Sequence, residues 1–359
     1  MSDAVVLRTT STSNAENFGE IFMVNENFRE NPFSNVAVLH WPSIFLRKYL
    51  PFSKYIVHCS YFWLMLKHVK NFPEAAAVFF RLKKSGTLHF RDGTSCSIWS
   101  SRFNLNFYRL LRIKERRYPV VFSEDLEFAR FKFLGRQITL QGIDAVALAA
   151  CTFFDGEYSL PSNAKGRQVV DIGANIGDTA IYFALNGASR VIALEPQSYA
   201  FEMARRNIRA SGLSEKIILS NTALLGKDAC LHMRREKESF GESQLEPAQS
   251  GVRICASSMH SLAEKYGLSG AVLKMDCEGC EYEAVLGAGR ADLRRFSFII
   301  LEYHYGYENL RKKLESCGFS VRIAKGPNYG FQPKWKMPHS IVGILEAVRK
   351  PKASAGQNK

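Results

Sequence analysis

The densest chemistry in the chain is acidic. The run LKMDCEGCEYEAVLG sets Asp276, Glu278, Glu281 and Glu283 behind an apolar stretch that reads as a strand. A carboxylate at a strand end beside a crevice can take a proton from a hydroxyl, so Asp276 and Glu278 are candidate bases. Glu281 and Glu283 fall where a helix starts, and dipole complementarity alone accounts for acids there. His304, in IILEYHYG, follows another strand end, and an unperturbed imidazole titrates near neutral pH, which makes it a third candidate. Glu302 and His304 with Asp276 also offer oxygen and nitrogen donors to a divalent metal, but three scattered ligands form a loose pattern and no metal site is assigned. Cys277 and Cys280 form C-x-x-C. No second pair stands at zinc spacing and the neighbouring glutamates oppose thiolate formation, so both read as small buried side chains.

A second constellation lies upstream. VVDIGANIGDTAIYFAL places an apolar strand, a glycine turn and a helix in the order that α/β folds use to build a ligand crevice. Asp171 ends the strand, where a carboxylate can compensate a ligand's positive charge. Gly173 and Gly177, with Ala174 and Asn175 between them, let the backbone turn sharply and approach a ligand. The spacing G-x-N-x-G departs from the G-x-G-x-x-G of pyrophosphate sites, and Asp178 at the helix start repels a phosphate. S-adenosylmethionine, with a sulfonium and no phosphate, suits such a turn. Glu195 closes the next strand in RVIALEP, where a carboxylate accepts both ribose hydroxyls; the bland alternative is a solvated strand-end acid. Thr222, past the third strand, is placed against the adenine.

Strands are expected at Val169 to Ile172, Arg190 to Leu194, Lys216 to Ser220, Ala271 to Met275, Phe298 to Glu302, Phe319 to Ile323 and Ser340 to Glu346. Helices fit between them at Asp178 to Leu185, Tyr199 to Ser211, Ser261 to Tyr266, Glu281 to Leu286 and Glu308 to Ser316. Upstream, Val36 to Leu82 is helical in pattern, with a break near Pro73. Thr87 to Trp99 alternates about Asp92-Gly93 as a hairpin, and Arg130 to Gly142 repeats the alternation and is expected to pair with it. The expected organisation is a polar arm over residues 1–30, a helical and β-rich region over 31–150, a main domain over 151–348 and a basic tail over 349–359.

Composition narrows the classes. The formal charge of +14 is dispersed, the densest groups being Arg112 to Arg117 and Arg349 to Lys359, and neither is interleaved with an RNA-reading aromatic motif, so nucleic acid is not the expected partner. Tyr55 to Leu66 is too short to span a bilayer and reads as a core helix, with a peripheral membrane contact as the alternative. The first thirty residues lack the basic start and apolar core of a secretory signal, and eight scattered cysteines are unlike a disulfide framework; a reducing cytoplasm is the expectation.

VVDIGANIGDTAIYFAL, RVIALEPQSYAFEMARRNI, LKMDCEGCEYEAVL and FIILEYH, in that order, resemble the FkbM-type methyltransferases, a branch of the class I S-adenosylmethionine enzymes. The likeness runs from Gln168 to about Ala347, and the Gly86 to Trp99 hairpin looks like the β-rich lead-in of that family. The resemblance implies an α/β, Rossmann-like sheet of seven strands whose last is antiparallel. It further implies O-methylation of a hydroxyl, often on a sugar or glycosylated metabolite, with Asp171, Gly173, Asn175 and Glu195 lining the cofactor and Asp276 and Glu278 facing the acceptor. Two features depart from the family: cysteines stand at 277 and 280 in place of an aliphatic and a small residue, and the helical arm before residue 85 has no counterpart. Against a nicotinamide-dependent oxidoreductase stand the glycine spacing and Asp178. Against an RNA base methyltransferase stands the turn MDCEG, where an Asn/Asp-Pro-Pro-aromatic sequence is usual.

Overall fold

Helical periodicity gives way to strand alternation near Ser85, and the elements follow that change. The computed structural model describes residues 59–100, 105–160, 164–233, 252–329 and 341–351. By contacts the chain divides into Met1–Ser60 and Tyr61–Lys359, and every element below lies in the second unit save the first two residues of helix α1 (Cys59–His68). The arm expected over residues 1–30, the helical run before Cys59, residues 234–251 and the tail past Pro351 lie outside the described residues. Among those described, no helix is long and apolar enough to cross a membrane.

Helix α1 buries Leu64 and Met65 and leaves Trp63 and Leu66 exposed. Helix α2 (Phe72–Phe79) carries Pro73 in its first turn, where the missing N–H costs nothing. Strands β1 (Ser85–His89) and β2 (Ser95–Trp99) form the expected hairpin. After α3 (Leu105–Glu115), strands β3 (Val121–Phe122), β4 (Phe128–Phe133) and β5 (Arg136–Gln141) make a sheet of their own. The expected pairing of Arg130 to Gly142 with the first hairpin is therefore corrected. That run folds back on itself, because Leu134 (φ 48°) and Gly135 (φ 78°) are both left-handed and close a two-residue turn. Helix α4 (Ala145–Leu148) and a π-helical segment, Ala149–Phe154, lead into the main sheet.

From there strands and helices alternate: β6 (Gln168–Ile172), α5 (Asp178–Leu185), β7 (Arg190–Leu194), α6 (Ser198–Ala210) and β8 (Ile217–Ser220). A three-stranded side sheet follows, β9 (Thr222–Leu225), β10 (Ala229–Met233) and β11 (Val252–Ser258), which no sequence pattern announced. Then come α7 (Met259–Lys265), β12 (Ala271–Met275), α8 (Cys280–Gly287), α9 (Arg290–Leu293), β13 (Phe296–Tyr303), α10 (Glu308–Ser316), β14 (Phe319–Tyr329) and β15 (Ile341–Arg349). The seven-stranded sheet has the order β14-β15-β13-β12-β6-β7-β8, and β15 alone runs against its neighbours. This is the seven-stranded, Rossmann-like α/β sheet with an antiparallel last strand that the sequence implied.

Because strand side chains alternate between faces, Val169 and Val272 join the core that includes the upstream region, whereas Val170 and Leu273 join the core formed with α7, α8 and α10. Strand order reverses at β6, with β7 and β8 on one side and β12 and β13 on the other. The connections leave on opposite faces, and in sheets of this kind ligands bind over the carboxyl end of such a strand.

Candidate active site

The turn after β6 is held from several sides. The N–H groups of Gly173 and Ala174 donate to the Leu194 carbonyl at 3.0 and 3.1 Å, and that of Gly177 to the Ala174 carbonyl at 2.7 Å. Gly173 adopts φ 74°, and a Cβ there would stand 1.9 Å from the Asp276 carbonyl oxygen. Glycine is thus demanded by the backbone of the acidic loop, and the glycine turn and that loop are in contact. Gly177 (φ 85°) packs against Ala204 of α6.

Glu195 is 6% exposed. It accepts the Asn175 N–H at 2.9 Å on one oxygen and the Gln197 N–H at 2.8 Å on the other, and each oxygen retains a lone pair for a ribose hydroxyl. Burial pushes its carboxyl up to about 7, while the two backbone N–H groups pull the other way. The Asn221 side chain donates to the Glu195 and Pro196 carbonyls at 2.9 and 3.0 Å, tying the third strand's end to this acid. Thr222 begins β9, its hydroxyl 2.8 Å from that of Ser220.

Asp171 is fully buried, and its charge is already met. Lys274 Nζ lies 3.0 Å from one oxygen and the Thr179 hydroxyl donates to the other at 2.7 Å. The lysine also donates to the Gly173 carbonyl at 3.0 Å, so Asp171 and Lys274 brace the turn from beneath. Burial works against the lysine's charge, but Asp171 and its acidic neighbours hold its pKa above the ordinary value. Lys274 escaped sequence reasoning, although a lone lysine inside the apolar strand AVLKM was a signal, since lysine is buried only when paired. Asp178, which burial pushes up to about 6, is likewise engaged: the Thr152 hydroxyl of the π-helical segment donates to it at 2.6 Å.

Beyond β12 the chain curls. Glu278 (φ 57°) and Gly279 (φ 117°) are left-handed and bring the Cα atoms of Cys277 and Cys280 to 5.5 Å, where the pair is joined by a disulfide. The two cysteines are therefore not free buried side chains; the curl that joins them depends on two backbone angles that C-x-x-C spacing does not specify. Glu281, buried at the start of α8, accepts the N–H groups of Cys277 and Gly279 at 2.8 and 2.9 Å.

His304, past the end of β13, stands over this curl. Its Nε2 is 3.4 Å from Glu278 and 4.0 Å from Asp276, and its Nδ1 is 3.7 Å from Glu281. Burial alone would lower the imidazole's pKa, but Glu281, Glu278 and Asp276 raise it to about 10. The three acids thus act against the near-neutral titration of an unperturbed imidazole. Burial pushes Glu278 up to about 8 despite the attraction of His304. From the upstream region, the buried Tyr158 brings its hydroxyl to 2.7 Å from Asp276 and 2.9 Å from Glu302. Burial and Asp276 push the Glu302 carboxyl up to about 7. Tyr158 was missed because its segment carries no periodic signal. Asp276, Glu278 and His304 are thus brought together, with Glu302 joined to them through Tyr158.

Residues 171–321 match the family model described as the Methyltransferase FkbM domain. Among curated proteins, none matches the sequence. Similar solved structures include a methyltransferase FkbM from Methylobacillus flagellatus, 14% identical, covering 54% of this chain and 46% of that one with a TM-score of 0.36. A tRNA methyltransferase from M. jannaschii is 14% identical over 64% of this chain and 59% of its own, with a TM-score of 0.34. TrmK from M. capricolum, solved with the cofactor product S-adenosylhomocysteine, is 12% identical over 54% and 66%, with a TM-score of 0.34.

Proposed function

We propose that this protein, whose residues 171–321 match the model of the methyltransferase FkbM domain, is an S-adenosylmethionine-dependent O-methyltransferase acting on a hydroxyl of a sugar or glycosylated metabolite. The observation that carries the reading is the contact of Gly173 with the Asp276 backbone, because it sets the cofactor turn and the acid cluster on one crevice. Glu195 holds the ribose, and the turn from Gly173 through Ala174 and Asn175 to Gly177 lies against the cofactor's amino acid end. Thr222 borders the adenine. Asp171 acts through Lys274 on the shape of the turn.

Methyl transfer needs an in-line approach to an already activated carbon, so positioning and proton removal are the protein's tasks. The acceptor oxygen bonds the methyl carbon as the carbon–sulfur bond breaks, its electron pair remaining on sulfur to give S-adenosylhomocysteine. The hydroxyl proton passes to the carboxylates around Asp276 and Glu278, whose charge His304 balances. Tyr158 makes the region upstream of β6 part of the acceptor side. The test is methyl transfer from isotope-labelled S-adenosylmethionine to a panel of glycosides, with product analysis by mass spectrometry. An O-methyl ether whose formation drops in Asp276→Asn is the expected result; methyl found on nitrogen, or undiminished turnover in the variant, contradicts the reading.

A further inference from the structure

We propose that Asp276, Glu278 and His304 form a binding site for a divalent metal ion, which takes the acceptor hydroxyl as a further ligand. The metal site stands on its own geometry; only the role of the hydroxyl rests on the function proposed above.

The three side chains come from separate places, the end of β12, the left-handed curl and the end of β13, yet one ligand atom from each lies within 4.8 Å of the others. Ligands on opposite sides of an ion at about 2.1 Å stand about 4.2 Å apart, so the set closes on an ion with adjustments of under about 1 Å. Three protein donors leave positions open for water and an acceptor oxygen. Two carboxylate oxygens and one imidazole nitrogen suit Mn²⁺ or Mg²⁺. The adjacent sulfurs of Cys277 and Cys280 are tied to each other and do not compete as thiolate ligands.

His304 supplies the second, independent observation. The residue is 9% exposed, its Nδ1 has no hydrogen-bond partner, and its Nε2 points between two carboxylates at 3.4 and 4.0 Å, beyond good hydrogen-bond length. A buried imidazole without hydrogen bonds is costly, and a metal on Nε2 removes the cost on that side. It also leaves Nδ1–H facing Glu281 at 3.7 Å, and Glu281 is itself pinned by two backbone N–H groups. Metal-bound imidazoles are oriented by carboxylates in this manner. With the ion in place, Glu302 remains as the carboxylate not committed to it, joined to Asp276 through the Tyr158 hydroxyl.

The experiment titrates the full chain with Mn²⁺ in the absence of cofactor, following free Mn²⁺ by electron paramagnetic resonance, with Mg²⁺ as competitor. The expected result is one Mn²⁺ per chain, displaced by Mg²⁺ and weakened about tenfold or more in Glu278→Gln and in His304→Ala. His260→Ala, which alters an exposed histidine paired with Asp292, should bind as the parent does. S-adenosylmethionine affinity, measured on each variant, reports that the crevice is folded. A parent protein that binds S-adenosylmethionine but retains no Mn²⁺ overturns the metal site and leaves the proposed function standing. Mn²⁺ binding that persists equally in both variants overturns it too. Site-specific Mn²⁺ binding by a protein that ignores S-adenosylmethionine supports the metal site while removing the function.

Discussion

Lys274→Met tests the bracing of the cofactor turn. Lys274 is 1% exposed and Asp171 is fully buried, so the substitution leaves an uncompensated carboxylate in the core and removes the donor to the Gly173 carbonyl. Breaking one side of a buried ion pair costs about 3 to 5 kcal/mol. Adding Asp171→Asn removes the stranded charge while the Thr179 hydroxyl keeps an oxygen to donate to. The residual cost of the double variant is then dominated by the lost bond to Gly173, about 1 kcal/mol. Urea unfolding should show the single variant's midpoint falling sharply at unchanged slope, and the double variant recovering most of the loss. A Lys274→Met protein within about 1 kcal/mol of the parent, or a double variant as unstable as the two single costs summed, refutes the reasoning.

Gly173→Ala forces a left-handed backbone on alanine, about 1 to 2 kcal/mol, and drives a methyl against the Asp276 carbonyl. Cofactor affinity measured by calorimetry should fall about tenfold or more in a protein that circular dichroism shows to be folded. Tyr158→Phe removes the donor shared by Asp276 and Glu302; turnover should fall while S-adenosylmethionine affinity stays at the parent level, and a matching loss of affinity would place Tyr158 on the cofactor side. Burial pushes Glu195 up to about 7, and only its ionised form accepts both ribose hydroxyls. Affinity should therefore rise about tenfold per pH unit up to about 7 and level off above it, a profile that Glu195→Gln flattens. For folding the sign is opposite: the native state keeps a proton that the unfolded chain releases at its ordinary value of 4.5, so this group's contribution to stability declines as pH rises from 4.5 to about 7.

Strands β6, β7, β12 and β13 were legible in the sequence because strands covered on both faces read as unbroken apolar runs, and a chain reversal was marked by glycines. Every strand and helix expected from Gln168 onward is present, β14 continuing to Tyr329, past the expected end at Ile323. The side sheet was not legible, because β10 and β11 lie far apart in sequence and their pairing is encoded by no local pattern. At the site, residue types close in sequence were readable and long-range pairings were not. Lys274 meets Asp171, and Tyr158 reaches Asp276 across 118 positions, through contacts that no local pattern encodes. The pKa of His304 is raised by Glu281, Glu278 and Asp276, acids of one distant run that the titration of an isolated imidazole does not include.

The account turns on Glu195 gripping the ribose of a phosphate-free nucleoside beside the glycine turn, and calorimetric titration of the full chain with S-adenosylmethionine, parent against Glu195→Gln, tests this most directly. The account predicts one site per chain, with the variant weaker by about 1 to 3 kcal/mol. Absence of binding to the parent, or equal affinity in the two proteins, contradicts it.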